Sequence, residues 1–195
     1  NGNVEIDFPD GFLRSGKARV DQDKGLVDFK MKGDLFLQDY FFRADEGSFN
    51  KDKLSIKLSK GETFLSNRGL VINFDSLEGN IENEINLNQV SMTSCSNVSS
   101  GWELVAEKIV LNDESKRGYA KNVKIKAFDK TIVRLPAIPF ATSKDRMSGF
   151  LQPSLSYSSD GFDFMIPYYQ ITSERSDLTI AARNISKRGL GLEGN

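Results

Sequence analysis

The 195-residue chain contains no histidine. That excludes Ser-His-Asp and Cys-His nucleophiles, His-bearing zinc sites and imidazole acid–base chemistry. It contains one cysteine, so neither an internal disulfide nor a Cys-cluster metal site can form. Charge of one sign is not in excess: 26 Lys and Arg face 27 Asp and Glu, for a net charge of −1. A strongly basic nucleic-acid binder is disfavoured on that ground, and no nucleic-acid partner is expected. No run approaches 18 uncharged apolar residues, so no apolar helix spans a membrane. A transmembrane β-barrel escapes that argument, because its strands alternate and read as only mildly hydrophobic. What the chain does have is material for a core. Hydrophobic residues make up 38% and Phe alone accounts for 14, enough for one large domain or two small ones. The chain opens inside strand-like Val4-Glu5-Ile6-Asp7-Phe8 and ends just after another such run. Both ends predict a piece of a longer protein.

From Val4 to about Lys130 the texture is short alternating strands with polar turns. Val27, Phe29 and Met31 alternate with Asp28 and Lys30; Leu54, Ile56 and Leu58 with Ser55 and Lys57; Val123, Ile125 and Ala127 with Lys124 and Lys126. A period of two is the β signal. A degenerate repeat runs through this part. Ala44, Phe49 and Asn50 precede a charged turn, as do Ala106, Leu111 and Asn112. Val20 to Gly25 repeats the turn half, and Ile72-Asn73-Phe74-Asp75 reads as a weaker fourth copy. Recurring Asn, Asp and Gly turns predict a stacked β-solenoid or a jelly roll, with an ordinary sandwich as the bland alternative.

After Arg134 the texture changes. Leu135-Pro136-Ala137-Ile138-Pro139-Phe140 carries two prolines, which predicts an extended linker over 135–147 and not a central strand. Three strands are expected after it: 148–158, 162–171 and 177–185. Each approaches the 9–11 residues that a tilted strand needs to cross a bilayer. Phe162, Phe164, Ile166 and Tyr168 share one face, and Leu178, Ile180 and Ala182 another. A soluble sheet with one buried face would show the same alternation.

Weaker signals carry little. Asp21, Asp23, Asp45 and Glu46 sit in turns and complete no Ca²⁺ loop. Gly189-Leu190-Gly191 lacks the strand–helix setting of a phosphate loop. Ser143 and Lys144 point apart if they lie on a strand. No cofactor, metal or catalytic residue is expected.

Five short motifs stand in order: Met92-Thr93-Ser94-Cys95 with Gly101-Trp102-Glu103-Leu104, then Ser148-Gly149-Phe150-Leu151-Gln152-Pro153, Pro167-Tyr168-Tyr169, Asp177-Leu178-Thr179 and Ser186-Lys187-Arg188-Gly189. In this order the sequence resembles the lipopolysaccharide-assembly outer-membrane protein family, LptD. The match is firm from Met92 to Gly189; the N-terminal repeats are similar, more loosely, to that family's OstA-like domain. The resemblance implies an all-β fold. An open, solenoid-like β-jelly roll (1–134) in the periplasm would lead, through a linker (135–147), into the first strands (148–195) of an antiparallel outer-membrane β-barrel.

The implied function is transport of lipopolysaccharide into the outer leaflet of the Gram-negative outer membrane. The alternative is a soluble periplasmic lipopolysaccharide-binding bridge or chaperone of the same fold. A polysaccharide-active β-helix enzyme is a poor third, for want of an aromatic–carboxylate cluster. Implied partners are lipopolysaccharide, a periplasmic bridge protein of similar fold (LptA) at the N-terminal edge, a lipoprotein plug (LptE), the outer membrane and the barrel-assembly machinery. Val27, Phe29, Met31, Leu54, Ile56, Leu58, Val123 and Ile125 either line a lipid path or simply fill a core. Lys124, Lys126, Lys130 and Arg134 either meet lipid A phosphates or form a solvated face. Pro153 and Pro167 match positions that, in the family, loosen a lateral gate; their ordinary reading is a bulge or a strand end. Cys95 matches a position that the family bonds to a distant cysteine, here outside the sequence.

Overall fold

The structure is a computed structural model that describes residues 4–8, 11–37, 40–65, 70–94, 101–127, 129–141, 147–151 and 154–194. Among them all regular structure is strand. Five short strands come first: β1 (Val4–Phe8), β2 (Gly11–Ser15), β3 (Ala18–Asp21), β4 (Leu26–Phe29) and β5 (Gly33–Leu37). Seven long ones follow: β6 (Tyr40–Asn50), β7 (Ser55–Leu65), β8 (Leu70–Asn80), β9 (Glu84–Thr93), β10 (Trp102–Asn112), β11 (Arg117–Ala127) and β12 (Lys130–Ala141). Each pairs antiparallel with the next. The chain closes with β13 (Gly149–Phe150), β14 (Ser154–Ser158), β15 (Gly161–Ser173), β16 (Ser176–Ile185) and β17 (Gly189–Gly194).

Every long strand is creased once near its middle. In β6 the inward residues are Phe42, Ala44, Gly47 and Phe49; in β9, Ile85, Leu87, Val90 and Met92; in β10, Leu104, Ala106, Ile109 and Leu111. The spacing is two, three, two, where an unbroken strand would give two throughout. The surplus residue drops out of the ladder: β6 and β7 pair up to Ala44 with Gly61 and resume at Glu46 with Ser59, skipping Asp45 and Lys60. Lys60, Gln89 and Asn122, at the creases of alternate strands, adopt left-handed backbone with φ of 48°, 48° and 51°. Such bulges bend a strand and sharpen its twist. Lined up across seven strands, they fold the sheet along one line, and both halves contribute to a single buried cluster. The N-terminal strands obey the same line with outright breaks. β4 pairs with the second half of β6 and β5 with its first half, so residues 30–32 interrupt the chain where β6 is creased.

The turns stack at one end of the strands. The Asn50 amide donates to the Lys24 carbonyl at 3.0 Å, and the Asn80 amide to the Lys53 carbonyl at 2.6 Å. Backbone bonds Lys51 to Gly25 (2.9 Å), Ile81 to Leu54 (3.0 Å) and Asp113 to Asn83 (2.7 Å) complete the column. The expected repeat is therefore real at 20–25, Asn50 and Asn112. Its supposed copy at Ile72–Asp75 lies inside β8 instead; the turn opened by Asn80 takes that place.

Residues 135–141, expected as a linker, are the second half of β12 and pair with β11. The prolines are tolerated because this strand is nearly an edge. Its contact with β13 is one parallel pair, Phe140 with Phe150. The outer surface near the N-terminus carries two cross-strand rows. One is aromatic: Phe12, Phe36 and Phe41 stand opposite one another in β2, β5 and β6. The other is ionic: Glu5–Arg14 at 2.9 Å, Arg43–Asp34 at 2.7 Å and Arg43–Glu62 at 3.3 Å. The Asp34 hydrogen bond and charge, with Glu62 behind them, raise the Arg43 pKa above its ordinary value.

Candidate functional site: a continuous apolar surface

The inward faces of β4 to β12 make one apolar interior. Six of the eight expected lining residues belong to it: Val27, Phe29, Ile56, Leu58, Val123 and Ile125 are only 1–4% exposed. They pack against Phe42, Phe49, Phe74, Val90 and Leu104, which local alternation did not single out. The two–three–two spacing is the signal that finds them. Met31 does not belong: β4 ends at Phe29, and Met31, beyond it, is 53% exposed. Leu54 is half-buried and closes a turn with φ of 49°. It packs on the rim of the cluster.

This surface does not stop at β12. Phe164 of β15, 6% exposed, belongs to the same buried cluster, and Ile166 packs against it. Both share a face with Ile180 and Ala182 of β16 and, one strand on, Leu190 and Leu192 of β17. The exposure climbs outward across that face, from 6% at Phe164 through 43% at Ile180 to 86% at Leu190. The opposite face carries a polar network beside Met165, Pro167 and Ala181. Arg183 donates to Asp163 at 2.8 Å and also pairs with Glu193. Tyr169 donates to Asp177 at 2.7 Å.

Pro167 lies in β15 opposite Ala181, and its carbonyl accepts the Leu151 N–H at 2.9 Å. A residue's N–H and C=O leave a strand on the same side. The missing donor of Pro167 therefore faces β13 and β14, not β16. On that side the register of β14 with β15 differs by one residue from that of β13 with β15, so an extra residue is accommodated between Phe150 and Ser154. Pro153 and Cys95 lie outside the described residues.

The four basic residues separate. Lys124 and Arg134 stand directly opposite each other on the outer face, turned away from Val123 and Ile125. Lys126 is tied to Glu103 at 3.0 Å. Lys130 sits opposite Ala127 where β12 begins. An amphiphile held in the interior cannot touch Lys124 and Arg134 from there. Among the described residues no group of three or more acidic or sulfur ligands could hold a metal ion.

The fold is an all-strand, unclosed sheet of the jelly-roll kind, creased over an apolar interior. The chain is a homologue of the LPS-assembly protein LptD: it is 30% identical to LptD of Idiomarina loihiensis over 99% of its length. LptD of Pseudomonas entomophila is 32% identical over 95% of the chain, and that of Bordetella pertussis 26% over 99%. The chain spans about a quarter of the length of these relatives, 26%, 20% and 25% respectively. No family model matches. Among solved structures, it is similar to LptH of Pseudomonas aeruginosa, the LptA-homologous periplasmic component of a lipopolysaccharide transport device. The TM-score is 0.41 at 12% identity, covering 66% of this chain and 92% of that one.

Proposed function

We propose that the chain guides lipopolysaccharide across the periplasm and delivers it to a lateral opening in an outer-membrane barrel, of which β14 to β17 are the first strands. One observation carries this reading: the buried apolar interior of β4 to β12 and the exposed apolar face of β15 to β17 are a single surface, joined at Phe164. Each exposed CH₂ of an acyl chain costs about 0.8 kcal/mol in water. A continuous greasy surface keeps those chains covered while the sugars stay wet, and no catalytic step is required. Loading parts the two halves of the sheet along the crease and exposes Leu58, Val123 and their neighbours. The face bearing Leu190 and Leu192 meets hydrocarbon, and the Asp163–Arg183–Glu193 network faces the barrel lumen, as alternating membrane strands require.

The gate lies at the seam where the first and last barrel strands meet; beside it Pro167, opposite Leu151, weakens the ladder in a medium that offers no water in exchange, and the resemblance assigns Pro153 the same role. The outer edge of β1, which pairs only with β2 among the described residues, accepts a strand from an LptA-like bridge. The LptE plug, the barrel-assembly machinery and a disulfide from Cys95 to a distal cysteine complete this reading. It places the chain in the outer membrane, with β1 to β12 on the periplasmic side.

The test is photo-crosslinking in cells. Probes at Leu58 and Val123 are expected to capture lipopolysaccharide, and a probe at Lys57, on the outer face of β7, is expected not to. Equal capture from Lys57, or none from the interior, overturns the reading.

A further inference from the structure

The outer face of β10 to β12 concentrates positive charge within a chain whose net charge is only −1. Lys108 stands directly opposite Lys121, and Lys124 directly opposite Arg134. Like charges facing each other across strands destabilise a sheet, and here two such pairs lie almost side by side. Arg117 extends the row along β11. None of these five cations is ion-paired to a described acid. Of the two acids on the same face, Glu103 is neutralised by Lys126, while Glu107 accepts from the neutral Asn122 amide and offsets one of the five. The row from Arg117 to Lys124 is about 23 Å long at an ordinary strand rise. Tyr119, 44% exposed, lies within it. Its Arg117 end pairs with Ala141, one residue from Phe140, where β12 meets β13. The basic face thus borders the strands that the reading above places in the membrane.

From this we infer that the outer face of β10 to β12 docks on the anionic headgroups of the phospholipid leaflet beside the barrel, with Lys108, Arg117, Lys121, Lys124 and Arg134 over the phosphates and Tyr119 at the interface. The occupant is a bilayer surface and not a single lipid held in a pocket: the patch is an extended row on an open sheet face, and anionic surfaces attract spread basic residues additively. The Lys124–Arg134 pair, turned away from the transport path, thereby gains a function that the path does not give it. The inference rests on the membrane placement of β14 to β17.

The chain is refolded onto vesicles of phosphatidylcholine alone or with 30 mol% phosphatidylglycerol, and its partition is read by flotation. The wild type is expected to prefer the anionic vesicles, and 0.5 M salt is expected to abolish the preference. Lys121→Gln with Lys124→Gln is expected to cut the partition to anionic vesicles about 25-fold, with partition to neutral vesicles unchanged. A control pair, Lys51→Gln with Lys53→Gln in the exposed turn after β6, should leave both unchanged. Lipopolysaccharide or inorganic phosphate in solution should not reproduce the effect at equal phosphate concentration. Stable insertion without an anionic preference, or a preference that survives the double substitution, overturns the docking inference alone. No association with either vesicle overturns the membrane placement and the inference with it.

Discussion

Leu151 donates its backbone N–H to the carbonyl of Pro167, at 2.9 Å, at the point where β13 ends and the ladder to β14 changes register. The reciprocal bond, from residue 167 to the Leu151 carbonyl, is missing because Pro167 has no N–H. The weakness in this sheet is therefore local and directional. It lies on the side of β15 that faces Leu151, beyond the β14 pairing that ends at Met165, while β15 and β16 pair from Asp163 to Ser173 with one shift near the end.

Pro167→Ala supplies the missing donor. One net hydrogen bond stabilises by about 1 kcal/mol. Closer pairing of β15 with the segment around Leu151 is expected, with less lipopolysaccharide reaching the surface and more disulfide formation between cysteines placed across that contact. Unchanged export together with unchanged seam crosslinking would remove the gate from this position.

Leu58→Ala removes a side chain that is 1% exposed at the middle of the core. Leucine-to-alanine substitutions at such sites cost about 2–5 kcal/mol. The urea midpoint should fall accordingly. A loss below about 1 kcal/mol would mean that the interior is already open, as a permanent groove.

Asn80→Ala strips one rung from the turn column. The side chain donates to the Lys53 carbonyl and accepts the Glu82 N–H at 2.9 Å. Both bonds are exposed, so the expected loss is about 1 kcal/mol, well short of the Leu58 effect. Hydrogen exchange should quicken at Ile81, whose N–H bonds Leu54 in the adjacent turn.

Gly61→Ala places a methyl on the inward face of β7. A Cβ there would stand 2.6 Å from the Arg43 carbonyl oxygen and 2.6 Å from the Phe74 ring. Overpacking of this kind costs about 1–3 kcal/mol. Thermal unfolding should register it, and Phe74→Leu should relieve part of the loss.

Arg43→Ala removes two ion pairs and a contact over the Phe41 ring at 5.6 Å. The guanidinium side chain is 39% exposed, so water screens most of the Coulomb energy. The expected loss is under about 1 kcal/mol, read as the shift in urea midpoint and shrinking further in 0.5 M salt.

Local alternation around Ile56 and Val123 was legible because a strand's side chains alternate whatever it packs against. Met31 shows where that reasoning runs out. It continues the alternation of Val27 and Phe29, but the chain breaks after Phe29, and the residue lands in solvent. The proline segment at 135–140 fails in the opposite direction. Proline forbids a central strand, and this one is accepted at a near-edge position that only the pairing reveals. Lys124, Lys126, Lys130 and Arg134 read as one basic run, yet a period of two and a hairpin scatter them over an outer face, an ion pair and a strand start.

The amino-acid sequence alone determined that this is an all-strand chain without histidine or cysteine-cluster chemistry, built on turn repeats and carrying two textures. Composition and periodicity are local properties, and they survive any folding. The crease was decided by tertiary structure. One surplus residue per strand is invisible until neighbouring strands align their bulges, because a bulge acquires a direction only from the ladder it interrupts. Only that alignment turns seven amphipathic strands into one apolar interior, and only the packing of Phe164 joins that interior to the face that ends at Leu192.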